Sequence, residues 1–166
     1  IRALDDGADM YGPSDAAARD VAIVLLLEDD LCQGMALQSV LQSQGYKVRW
    51  ARTPIQAVEM FLEGPIPDVI VADYFLSGPE ENGVNAYHAL TYGYEKVPGI
   101  LITAAAGSDL LKATGEAVKA GMGVIIKPFA IDQLLAAIEE AREHEALPVP
   151  TAQRLVPANQ IGTDCA

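Results

Sequence analysis

Six polar residues are spaced through this sequence in a pattern that chemistry could use: Glu28, Asp29 and Asp30 together, then Asp73, Thr103 and Lys127. Each position closes an apolar run. Residues 21–27 lead into the acidic triplet, Pro67-Asp68-Val69-Ile70-Val71-Ala72 into Asp73, Ile100-Leu101-Ile102 into Thr103, and Val124-Ile125-Ile126 into Lys127. Short runs of Val, Ile and Leu bounded by polar or turn-forming residues read as buried strands. If those strands lie parallel, their carboxyl ends share one edge, and groups about a hundred residues apart converge there. Carboxylates gathered in a poorly solvated cleft cannot all stay ionised without a compensating cation. Mg2+ suits such a set, because it takes two carboxylates, a carbonyl and several waters. Lys127 would add a point charge for a phosphate or carboxylate oxygen, and Thr103 a hydroxyl donor. Asp73 would then be a carboxylate nucleophile. Mg2+, Lys127 and Thr103 would neutralise the three equatorial oxygens of a phosphoryl group in transit. The chemistry expected is phosphoryl transfer.

Five strands and the helices between them must hold these groups in place. Residues 31–44 carry Leu31, Met35, Leu37, Val40 and Leu41 at helical spacing, and Gly45 is a C-terminal stop. Residues 46–51 alternate and predict a second strand, less buried than the first. Thr53-Pro54 reads as an N-cap followed by Pro at the first position of a helix reaching Glu63. The turn-rich loop Phe75 to Gly83 precedes a short helix over residues 84–92. Ser108 or Asp109 is expected to cap a helix to Ala120, and residues 132–145 the last helix, with Leu134, Leu135, Ile138 and Ala141 inward. Strand and helix alternate five times, which indicates an α/β fold with one parallel sheet covered on both faces.

Composition narrows the rest. A chain of 166 residues suits one domain, here assigned to residues 21–145, with an N-terminal extension over 1–20 and a tail or linker over 146–166. The net charge of −12 argues against nucleic acid as a partner, since phosphate contacts need clustered Lys and Arg. Cys32 and Cys165 form no disulfide framework, so a cytoplasmic location is the default. No apolar run is long enough to span a membrane, and no signal peptide is visible. Cys32 is read as a partly buried thiol, His88 and His144 as surface residues, and Tyr87, Tyr92 and Tyr94 as core and turn packing.

The stretches Val24-Leu25-Leu26-Leu27-Glu28-Asp29-Asp30, Pro67 to Asp73, Ile100-Leu101-Ile102-Thr103-Ala104 and Lys127-Pro128-Phe129 together resemble the receiver domain of two-component response regulators. Four motifs in order are a far stronger signal than any one of them. The resemblance implies a doubly wound, flavodoxin-like sheet of strand order 2-1-3-4-5. It makes Asp73 the phosphoacceptor, Glu28 and Asp29 the acidic pair, and the backbone carbonyl of Phe75 a further ligand for Mg2+. Thr103 becomes the switch hydroxyl, Lys127 the phosphate-binding lysine, and Lys127-Pro128 a cis peptide. It implies a histidine kinase or histidine phosphotransfer protein as donor. A homodimer through the fourth helix, fifth strand and fifth helix is among the assemblies it allows. Such a domain catalyses its own phosphorylation and is not a turnover enzyme in the ordinary sense.

This chain also departs from the family pattern. Val124 stands where the family usually has an aromatic switch, and Gly83 arrives about two residues late, which enlarges the loop after Asp73. These departures favour the competing reading, a pseudo-receiver that binds proteins without phosphorylation. A receiver portion of a hybrid histidine kinase is a further option. An aspartyl-phosphate hydrolase is disfavoured by Phe75, where such enzymes carry a second Asp, and a flavin site by the lack of a phosphate loop after the first strand.

Overall fold

The computed structural model describes residues 21–76, 82–93 and 97–145. The proposed extension and tail, most of the loop after Asp73, Tyr94 and the side chain of His144 lie outside the described residues. Apolar strands and helices alternate in the order β1 (Ile23–Leu27), α1 (Leu31–Ser43), β2 (Lys47–Ala51), α2 (Pro54–Glu63), β3 (Val69–Asp73), α3 (Gly83–Thr91), β4 (Gly99–Thr103), α4 (Gly107–Ala120), β5 (Gly123–Ile126) and α5 (Ile131–Glu145). All strand pairs are parallel, and the sheet order is β2-β1-β3-β4-β5, as the resemblance implied. The central strands β3 and β4 are buried along their whole length because helices cover both faces, which is why they are continuous apolar runs.

Alternation along the strands divides the core in two. Leu25, Leu27, Ile70, Ala72 and Leu101 face one way, packing with Phe61 of α2, Tyr87 and Leu90 of α3, and Ala113 and Ala117 of α4. Val24, Leu26, Val69, Val71, Ile100 and Ile102 face the other, against Leu41 of α1 and Leu134 and Ile138 of α5. Each fully buried Leu or Ile contributes roughly 2 kcal/mol of apolar transfer free energy, so the sheet is fixed from both sides. Leu134 and Ile138 are the fully buried part of the α5 face, while Leu135 and Ala141 sit at its edge.

Helix starts follow side-chain chemistry. Asp30 caps α1 by accepting from the Gln33 N–H at 2.8 Å, Thr53 caps α2 from Gln56, and Asn82 caps α3 from Asn85. The start of α4 differs from expectation. It begins at Gly107 after Ala106, which makes no side-chain cap bond. Asp109 instead lies in the first turn, where its charge faces the positive end of the helix dipole. Strands β1, β2 and β3 begin one or two residues later than their expected runs, at Ile23, Lys47 and Val69, whereas β5 begins one residue earlier, at Gly123.

Two further expectations are corrected. Cys32 is exposed, because α1 turns Gly34 and Leu41 inward and position 32 lies on the opposite side of the helix. Tyr92 is 87% exposed, at the end of α3, whereas Tyr87 is buried and donates to the Val97 carbonyl at 2.7 Å. His88 is exposed. Among the described residues no helix is long and apolar enough to cross a membrane.

Candidate functional site

Register determines where the polar residues land. Leu27 is level with Ala72, so Glu28 leaves β1 beside Asp73. Asp73 is level with Ile102, and Thr103 with Ile126, so Lys127 leaves β5 one step beyond Thr103. The Lys127 N–H donates to the Thr103 carbonyl at 2.8 Å, which ties the two ends together. The Lys127-Pro128 peptide is cis.

Lys127 Nζ is the cation at the centre of this edge. It lies 3.2 Å from Asp73 Oδ2 and 3.3 Å from Glu28 Oε2, and it donates to Gln33 Oε1 of α1 at 2.8 Å. Glu28 is fully buried and Asp73 nearly so, with Asp29 more open beside them. One carboxylate oxygen from each of Glu28, Asp29 and Asp73 lies within 4.8 Å of the others. Burial pushes the Glu28 carboxyl above its usual range, the Asp73 charge adds to this, and Lys127 opposes it. Burial likewise raises Asp73, offset by Lys127 and by the Tyr74 N–H.

Lys127 thus pairs with two of the three clustered carboxylates, Glu28 and Asp73. Among the described residues, Asp73 Oδ1 is buried and has no hydrogen-bond partner. A buried oxygen without a donor is costly, and an all-oxygen donor set of this kind matches a hard divalent cation. The residues present therefore fit a metal of the Mg2+ class.

The other candidates are placed less directly. Thr103 is fully buried at the end of β4, and its hydroxyl oxygen accepts from the Ala105 N–H at 3.0 Å, within its own loop. Phe75 pairs with Asn82 in a short antiparallel bridge, and the Gly83 N–H donates to the Tyr74 carbonyl at 3.2 Å. Gly83 is required here, because a Cβ would come within 2.3 Å of the Asp73 carbonyl oxygen. The Phe75 side chain is half exposed. Val124 is half buried against the core beneath α4. Sequence reasoning missed Gln33, whose amide holds Lys127, and also Trp50 and Arg52, which bond the backbone of the acidic pair. A polar residue one turn into the first helix and a lone tryptophan at a strand end were the available signals.

A family model described as the response regulator receiver domain matches residues 24–139. Transcriptional regulatory protein ZraR from Klebsiella oxytoca is 28% identical over 140 residues, covering 84% of this chain and 30% of ZraR. Transcriptional regulatory protein PdtaR from Mycobacterium tuberculosis is 29% identical over 133 residues, covering 80% of this chain and 62% of PdtaR. The chain therefore spans less than two thirds of either relative. Among solved structures, a CheY-like receiver domain protein from Methanospirillum hungatei superposes with a TM-score of 0.67 at 20% identity, over 76% of this chain and 97% of that one.

Proposed function

The chain belongs to the response regulator receiver domain family, and on that premise we propose that it accepts a phosphoryl group on Asp73 and uses it to switch protein contacts. The observation that carries this reading is Asp73 itself, with Oδ2 on Lys127 and Oδ1 buried and, among the described residues, unpartnered. Oδ1 is the oxygen left to attack. The bond made is Oδ1–P and the bond broken is P–N of a phosphohistidine, whose imidazole leaves and takes up a proton from solvent. The donor in this reading is a histidine kinase or a histidine phosphotransfer protein. Mg2+ held by Glu28, Asp29, Asp73 and the Phe75 backbone carbonyl would supply the charge that the single lysine leaves short.

Lys127 then exchanges a carboxylate oxygen for a phosphoryl oxygen with little movement, since it already contacts Asp73. Thr103 would turn its hydroxyl from the Ala105 N–H toward the phosphoryl group. That rotation releases a backbone donor and supports a change in the β4–α4 connection as the output. With Val124 in place of an aromatic switch, the output has to travel through backbone and α4 rather than through a ring flip. Exposed Leu111 and Val118 on α4 and Ile126 on β5 favour self-association through the α4–β5–α5 face.

The test is mass spectrometry after incubation with acetyl phosphate and Mg2+. The expected result is a gain of one phosphoryl group, absent in Asp73→Asn and without Mg2+. An unmodified wild-type chain would leave the pseudo-receiver reading in its place.

A further inference from the structure

The backbone that aims the acidic pair is held from an unexpected side. β2 is an edge strand, and its last residues and the turn beyond make a row of bonds to the chain leaving β1. The Glu28 N–H donates to the Ala51 carbonyl at 3.1 Å. The indole Nε1 of Trp50 donates to the Glu28 carbonyl at 2.8 Å. The Arg52 guanidinium donates to the Asp29 carbonyl at 3.1 Å through one terminal nitrogen and at 3.4 Å through Nε. Arg52 is itself steadied, since its N–H donates to the Gln56 side chain at 2.8 Å. The indole has a dedicated seat. A Cβ on Gly34 of α1 would lie 2.1 Å from the Trp50 ring, so no larger residue fits there while the indole stays in place.

We propose that Trp50 and Arg52, with Gly34 as the indole's seat, are positioning residues that fix the peptide planes of Glu28 and Asp29 and thereby set the affinity of the acidic pair for a divalent cation. The inference rests on the reading of that pair as a Mg2+ site. Its physical basis is repulsion. Three carboxylates with oxygens within 4.8 Å of one another push apart, and Asp29 is the most exposed of them. Hydrogen bonds to both carbonyls hold the backbone in the binding geometry before the cation arrives. Outer partners of this kind commonly change metal affinity ten-fold or more when removed. Neither residue touches the cation, so each acts through the pair.

Arg52 gives the sign that separates this from a plain charge effect. A cation beside a metal site repels the metal, so deleting it would strengthen binding if charge were its contribution. Through the Asp29 carbonyl it should do the reverse, and Lys, which lacks the guanidinium fork, should not replace it. The experiment is a Mg2+ titration of the full chain followed by amide resonances, together with the indole N–H signal of Trp50, the only tryptophan in the sequence. Arg52→Ala, Arg52→Lys and Trp50→Phe should each weaken Mg2+ binding about ten-fold. Gly34→Ala should do the same while losing the indole N–H's protection from solvent exchange in the metal-free protein. Combined with Trp50→Phe, it should add little, as expected for residues acting as one unit. Arg52 is exposed, so its variants fold and keep the test decisive. Unchanged or tighter Mg2+ binding in the Arg52 and Trp50 variants overturns the inference alone. A wild-type chain without any Mg2+ response removes the site reading and the inference with it.

Discussion

Asp73 and Glu28 are acids held where water is scarce, with one lysine between them. Both carboxyls are raised above their usual range, first by burial. An acid raised on folding stabilises the fold in its protonated form; that contribution is full below the unfolded pKa and is lost as pH rises through the folded one. Without divalent metal, the protein should therefore gain stability from these two groups as pH falls from neutral into the carboxylate range. Asp73→Asn should be the more stable protein at pH 7 in chelator, because it removes a buried charge while Lys127 keeps Glu28 and Gln33 as partners. The difference should shrink toward pH 4, as followed by thermal melts of both proteins. A second expectation concerns the lifetime of the phosphoryl group. The Phe75 side chain has no polar atom to set beside Asp73, and the buried Ala105 side chain none to set beside Thr103, so neither can align a water for attack. Phe75→Asn should shorten the phosphoprotein half-life several-fold in a chase assay, with phosphorylation itself retained.

At the scale of elements, caps decide where the chain turns toward the site. Asp30 lies next to the acidic pair and has a carboxylate of its own, yet it accepts from the Gln33 N–H and starts α1. Asp30→Asn keeps an amide oxygen for that bond and should leave Mg2+ affinity and stability nearly unchanged. Asp30→Ala should cost about 1 kcal/mol in urea denaturation. A large loss of Mg2+ affinity in Asp30→Asn would make it a ligand instead. The signal for this cap is local, an acid followed by a periodic apolar helix. The start of α4 carries no such signal, since Ala106 offers no capping oxygen and the nearby Ser108 and Asp109 look like better caps than they are. Tertiary packing fixed that boundary. The exposure of Cys32 and Tyr92 was lost for the same reason: which way a helix faces depends on the sheet beneath it.

For the whole molecule, alternation of apolar runs and helices made the parallel sheet legible, and the four strand ends made the site legible with it. Strand order needed the resemblance, because periodicity does not say which strand lies beside which. What stayed hidden were contacts between distant elements, such as Gln33 on Lys127 and Trp50 on Glu28, since no local pattern marks them. The site also couples to the fold globally. A cation that binds only the folded chain raises its stability by mass action, about 2.7 kcal/mol at a concentration one hundred times its dissociation constant. Chelation should reverse that gain in a thermal melt, and Asp73→Asn should show a much smaller one.

The clasp at the root of the loop after Asp73 has a consequence of its own. Phe75 pairs with Asn82, the Gly83 N–H reaches back to the Tyr74 carbonyl, and Gly83 abuts the backbone of Asp73. The two ends of the loop are therefore joined beside Asp73 whatever lies between them. Lengthening a closed loop costs little, roughly 0.6 kcal/mol per doubling. A reporter peptide or an affinity handle spliced between Leu76 and Asn82 should therefore sit close to Asp73 and leave Glu28, Asp73 and Lys127 in place.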